Sequence, residues 1–183
     1  MVKDLPDLPE RAFVNDIKAD MYDANTVYVC LDNHKFGDYK PYFYKSEDRG
    51  KSWKKMTKNL PETTLVWRMV QDHEKKELMF LATEFGIYTS LNGGNEWHEL
   101  SGGLPTISFR DLAIQKREND LVGASFGRGF YVLDDYSPLR EVNETNMKAE
   151  GYLFPIKDAL WYIPRPVLGF GGVGSQGADH FVA

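Results

Sequence analysis

The chain has 183 residues, of which 42% are hydrophobic and 14% aromatic, enough to build the core of one ordinary domain and too apolar for wholesale disorder. A formal net charge of −5, with basic residues scattered along the chain, argues against a nucleic-acid partner, because phosphate binding needs a basic face. No run of about 18 apolar residues occurs, so no membrane-spanning helix is expected, and the polar, proline-bearing start MVKDLPDLPERA predicts no signal peptide within this chain.

In chain order, the first elements are four short β-type runs: VNDIKAD, VYVCLD, YFYKSE and SWKKM. They are rich in Val, Ile, Phe, Tyr and Trp, and they are separated by Asn, Asp, Gly and Pro. Cys30 lies in the apolar run VYVCLD; being the only cysteine, it forms no intramolecular disulfide and is expected to be a buried structural thiol. A second set follows as VWRMVQD, LMFLATE, GIYTSL and EWHEL. A third gives FRDLAIQ, LVGASF, GFYVLD and, weakly, PLREV. No segment long enough shows the 3.6-residue period of a helix.

The sets are copies of one unit. Ser46 to Ser90, Trp53 to Trp97, Leu60 to Leu104 and Tyr44 to Tyr88 are each 44 residues apart, and Tyr88 to Tyr131 is 43. Leu8 to Leu60 is 52, a surplus of eight that fits an insertion around NHKFGDYK in the first copy. A four-strand unit repeating every 40–50 residues predicts an all-β fold of β-propeller blades, each of four antiparallel strands. The blades are placed at about 8–59, 60–103 and 104–142. Residues 143–183 are expected to hold one or two closing strands and a Gly-rich linker or the start of a further domain. A closed propeller needs about four blades or more. Three blades therefore predict an incomplete ring, a segment of a longer propeller whose remaining blades are its first partners.

Two turns repeat closely. SEDRGKSW, residues 46–53, places Ser46, Asp48, Gly50, Ser52 and Trp53 in a Ser-x-Asp-x-Gly-x-Ser-Trp pattern. SLNGGNEW, residues 90–97, keeps Ser90, Gly94 and Trp97 and puts Asn92 at the aspartate position. An Asp or Asn side chain there can take the orphan amides of a tight loop, glycine permits positive φ, and tryptophan packs between sheets. The pattern resembles the Asp-box, or BNR, motif of sialidase-like and sortilin-like propellers, and the resemblance implies a structural role away from the ligand face. The runs LATEFGIYTSLNGG and GRGFYVLDDYSPLR look like large bacterial proteins described as BNR-repeat glycosyl hydrolases or sortilin N-terminal-domain proteins. That likeness spans about residues 5–165 and implies closing blades of a long propeller, secreted or periplasmic.

Function is expected on the other rim, where inner strands and their loops line the channel. Arg68 and Arg110 are read as equivalent points near the start of a blade, with Asp111 beside the second. Glu84 and Arg128 fall in matching loops, ATEFG and SFGRG. Exposed Trp67, Phe85 and Phe109 on this rim would mark a non-catalytic platform for a glycan or protein. The alternative is a fragment of a sialidase- or xyloglucanase-like hydrolase, whose two carboxylates would sit about 5–10 Å apart. No catalytic residue of those enzymes can be placed on this sequence. His34, His73, His98 and His180 lack metal-ligand spacing, and no metal or cofactor is implied. The pair Asp134-Asp135 is expected to cap the following turn, and GFGGVG lacks the strand-to-helix context of a phosphate cradle.

Overall fold

The computed structural model describes residues 5–158, together with the backbone of strands 163–165 and 180–182; GFGGVG lies outside the described residues. The chain divides into two compact units, 1–151 and 152–183. In the second unit, Ile163–Arg165 pairs antiparallel with His180–Val182, and Tyr152 meets Phe154 edge-on at 4.9 Å.

The first unit is all-β apart from single helical turns. Strands β1 (Phe13–Ala19), β2 (Val27–Asn33), β3 (Asp38–Ser46) and β4 (Lys54–Lys55) form an antiparallel sheet in the order β1-β2-β3-β4. The second sheet repeats that order with β5 (Val66–Gln71), β6 (Met79–Thr83), β7 (Gly86–Ser90) and β8 (His98–Glu99). The third has three strands, β9 (Phe109–Gln115), β10 (Asp120–Ser125) and β11 (Phe130–Leu133), in the order β11-β10-β9. This is the order of propeller blades, each a meander running outward from its first strand. The expected fourth strand PLREV is instead a helical turn, α1 (Pro138–Glu141). Pro138 stands at its start, and Asp135, at φ 46°, accepts from the Ser137 amide and hydroxyl. Proline fixes a helical φ and offers no ladder donor, so the run cannot continue the sheet. A second turn, α2 (Glu144–Met147), is capped by Asn143, which accepts from the Thr145 and Asn146 amides.

Alternation sends odd and even strand residues to opposite faces, and each face of the middle sheet buries a core. Tyr28, Cys30 and Phe43 of the first sheet pack on Met69, Met79, Leu81 and Trp97 of the second. On the opposite face Phe80, Ala82 and Ile87 pack on Phe109, Leu112, Leu121 and Tyr136. Cys30 is buried, and desolvation pushes its thiol well above its usual range. Gly123 shows how close the second seam is. A Cβ there would lie 2.9 Å from Phe109 Cδ1 and 3.0 Å from Ile87 Cδ1. Gly123→Ala is therefore expected to cost about 1–3 kcal/mol through overpacking, read as a lower urea midpoint with an unchanged slope.

The repeated turns have the same wiring. Asp48 Oδ1 accepts from the Lys51 and Ser52 amides at 2.9 and 2.8 Å, while Ser46 Oγ accepts from the Gly50 amide at 2.8 Å. In the second turn Asn92 Oδ1 accepts from the Glu96 amide at 2.9 Å, and Ser90 Oγ accepts from the Gly94 amide at 2.8 Å. The hydroxyls of Ser52 and Ser46 also donate to Asp48, so its carboxyl is held far below the usual carboxylate range. Gly50 and Gly94 take φ of 83° and 85°, which a side chain rarely tolerates. The tryptophans differ. Trp97 is buried and donates to Met56 O across the seam, whereas half-buried Trp53 donates to Gly50 O in its own turn.

Candidate functional site on the bulged rim

Each sheet's first strand carries a β-bulge at the same place. Val14 pairs with Leu31 and Asp16 with Cys30, leaving Asn15 between them unpaired. Val66 and Arg68 bracket Trp67 in the same way, as Phe109 and Asp111 bracket Arg110. Asn15, Trp67 and Arg110 are thus equivalent, and so are Asp16, Arg68 and Asp111. The structure corrects the pairing of Arg68 with Arg110. Their spacing of 42 matches no repeat offset, while 16, 68 and 111 reproduce the offsets of 52 and 43. A bulge re-aims one side chain out of the pleat, which is how Trp67 and Arg110 come to face each other across two sheets.

Two charge clusters result. In the first, Arg68 lies between two carboxylates, with Nη1 donating to Asp16 Oδ1 at 3.0 Å and Nε lying 2.9 Å from Asp111 Oδ1. The Nε contact is a charge contact without a directed hydrogen bond, since no acceptor lies along that N–H. Asp16 also accepts from the Met69 amide, so its burial is compensated by two donors of the second sheet's first strand, one backbone amide and one guanidinium N–H. In the second cluster the Arg110 guanidinium stacks 3.7 Å from the Trp67 ring centroid and 5.3 Å from that of Phe126. Glu84 accepts from Trp67 Nε1 at 3.0 Å and Ser108 Oγ at 3.1 Å, and Arg110 Nη2 stands 3.7 Å away. Glu84 thereby fixes the indole on which Arg110 rests.

Beside this cluster is a groove of about 300 Å³ lined by His34, Tyr39, Thr63, Leu65, Trp67, Glu84, Phe85 and Arg110. Phe85 and Tyr39 are exposed, while His34 meets Trp67 edge-on at 5.8 Å and pairs with buried Asp32. The insertion NHKFGDYK supplies two of these walls. It forms a short helical turn, His34–Phe36, at the β2–β3 connection, equivalent to the loops carrying Glu84 and Arg128. At its root Asn33 Oδ1 is buried without a hydrogen-bond partner.

The expected residues therefore divide. Arg68 joins Asp111, and Arg110 joins Glu84, whereas Arg128 is exposed in the β10–β11 loop with no ion pair among the described residues. Of the expected rim aromatics only Phe85 is exposed. Trp67 and Phe109 are buried, the first beneath Arg110 and the second in the seam against Tyr131. His34, Tyr39 and Ser108 were not foreseen as site residues; the insertion's position in a rim loop was the available signal for the first two. Among the described residues no group of three His, Cys, Asp or Glu is placed to hold a metal ion, and no helix is long and apolar enough to cross a membrane.

An all-β arc of propeller blades with a bulge-built rim is the class this architecture defines. No protein-family model and no curated protein matches the chain. Among solved structures it is similar to an ancestral GH74 enzyme at 24% identity and TM-score 0.51, over 63% of this chain and 14% of that one. It is likewise similar to the GH74 enzyme of Niastella koreensis at 18% identity and TM-score 0.53, over 67% of this chain and 21% of that one. These likenesses concern the fold, and the chain spans about a fifth or less of either enzyme's length.

Proposed function

We propose that this chain is part of a longer, secreted β-propeller of the Asp-box type and that it binds an oligosaccharide in the rim groove without catalysing its cleavage. The groove carries this reading. Exposed Phe85 and Tyr39 offer apolar ring faces to the C–H face of a sugar, and Arg110 and His34 offer planar hydrogen-bonding edges beside them. Arg110 is pre-oriented by its stack on Trp67, so little side-chain freedom is lost on binding. Sites of this kind sit on loops that a rigid sheet scaffold holds in place.

The second reading, a fragment of a propeller glycoside hydrolase, draws on the fold shared with GH74 enzymes. Within this chain, however, Glu84 is tied to Trp67, Ser108 and Arg110, and Asp111 to Arg68. An acid–base pair would need at least one carboxylate from elsewhere in the longer protein.

Calorimetric titration of the chain with a cello-oligosaccharide and with an oligogalacturonide separates the two. Binding of at least one is expected, and Phe85→Ala should weaken it about fivefold or more, equivalent to about 1 kcal/mol. The same mixtures should release no new reducing ends. Release that disappears in Glu84→Gln would establish the hydrolase reading instead. Binding unaffected by Phe85→Ala and Arg110→Ala would show that the groove is not where the sugar binds.

A further inference from the structure

Among the described residues of the first unit, the third sheet is the last and presents an exposed apolar face, and the repeat itself specifies what covers such a face. Register equates Ile87 with Phe130 and Thr89 with Val132, because Ala82 pairs with Ile87 as Ala124 pairs with Phe130, and Phe80 with Thr89 as Val122 with Val132. Ile87 and Thr89 are 3% and 5% exposed beneath the third sheet, while Phe130 and Val132 are 76% and 54% exposed. The same contrast holds at the other end of the arc. Val66 and Met69 are buried against the first sheet, and their equivalents Val14 and Ile17 are 52% and 55% exposed.

Charge decides between possible occupants. Along the arc the residue after each bulge alternates in sign, Asp16, Arg68, Asp111, and each contacts its neighbour at 3.0 or 2.9 Å. Asp111 Oδ1 is engaged by Arg68 and by its neighbour's amide, its other oxygen accepts no hydrogen bond among the described residues, and its side chain is 57% exposed. A second copy docking its first sheet here would present Asp16 to Asp111, a like-charge contact that works against the apolar gain.

We propose that the outer face of the third sheet, centred on Phe130, Val132 and Asp111, docks a further β-sheet whose first strand places a lysine or arginine against Asp111. This rests on the reading of the chain as part of a longer propeller, and it adds which kind of sheet comes next. A second copy of this chain is the rejected occupant, on sign alone.

The sign can be reversed within the existing chain. Asp111→Lys presents a cation to Asp16 of another copy, so head-to-tail association, in which one copy's third sheet meets the next copy's first, becomes favourable. Sedimentation of the 183-residue chain is expected to show a monomer for the wild type, and for Asp111→Lys an association at least about tenfold tighter that weakens with added salt. Asp111→Asn, which keeps the shape and removes the charge, should fall between them and serves if the lysine disturbs folding. Adding Phe130→Asp to Asp111→Lys should restore the monomer. Association no tighter in Asp111→Lys and Asp111→Asn than in the wild type would overturn the proposal. So would wild-type oligomers abolished by Phe130→Asp, which would make a second copy the occupant. Oligosaccharide binding in the groove reads out the functional reading separately.

Discussion

Arg140→Leu is expected to lower the melting temperature by about 10 °C, the largest effect of any single polar substitution in the first unit. Asp72, fully buried at the end of β5, accepts two bonds from Arg140, at 2.9 Å from Nε and 2.8 Å from Nη2. It also accepts from the Tyr136 hydroxyl at 2.5 Å and the Lys75 amide at 2.7 Å. Arg140 Nη2 reaches Asn119 as well, and Lys75 Nζ donates to Arg140 O, so α1 is tied to the second sheet. Removing one partner of such a pair strands a buried charge, at a cost of about 3–5 kcal/mol. For a domain of this size each kcal/mol is about 2–4 °C.

The same pair sets a pH dependence. Burial pushes the Asp72 carboxyl up, but the Arg140, Tyr136 and Lys75 bonds outweigh it and hold the group at about 2 against an ordinary 3.8. A carboxyl depressed on folding contributes stability above its unfolded pKa and loses it as pH falls through the folded one. Wild-type stability should therefore decline between pH about 4 and about 2 from this group, and the acid midpoint should move upward in Arg140→Leu. Thermal melts across that range by circular dichroism check both statements. A melt within 2 °C of wild type at neutral pH would show that α1 is not a structural tie.

Trp97→Ala is the second large effect, about 4 kcal/mol, within the range for a fully buried aromatic. The indole fills the seam between the first two sheets, meets Phe43 edge-on at 5.8 Å and donates to Met56 O at 2.8 Å. The truncation leaves both a cavity and an unpaired buried carbonyl. Trp53→Ala, at the equivalent place one blade earlier, should cost clearly less, because Trp53 bonds within its own turn and remains half-buried. Urea unfolding of the two variants compares them directly, and equal losses would show that the two tryptophans do not differ as seam and end.

The sheets were legible because their signals are local or periodic. Short apolar runs rich in β-branched and aromatic residues and bounded by turn residues marked VYVCLD and LMFLATE, and offsets such as Tyr44 to Tyr88 marked equivalent strands. The rim was harder. A bulge breaks the period of two where it matters, so only the 43-residue offset links Trp67 to Arg110, and likeness of side chain points instead to Arg68, one residue out of step. Burial of Trp67 depends on a cation stacked from the next blade, a contact 43 residues away that no local pattern encodes. PLREV has strand-like residues, but Pro138 after the Asp135 turn favours a helical start. His34 and Tyr39 were visible only as an eight-residue surplus, whose meaning depends on which rim the β2–β3 loop occupies.

The proposed oligosaccharide site is the groove between the insertion loop and the Glu84–Phe85 loop. Amide and side-chain NMR shifts during a cello-oligosaccharide or oligogalacturonide titration test it most directly. Saturable shifts are expected to concentrate at His34, Tyr39, Trp67, Phe85 and Arg110, with the turns at Asp48 and Asn92 unmoved. Saturable shifts centred on those turns, or no shifts on the bulged rim at millimolar sugar, would contradict it.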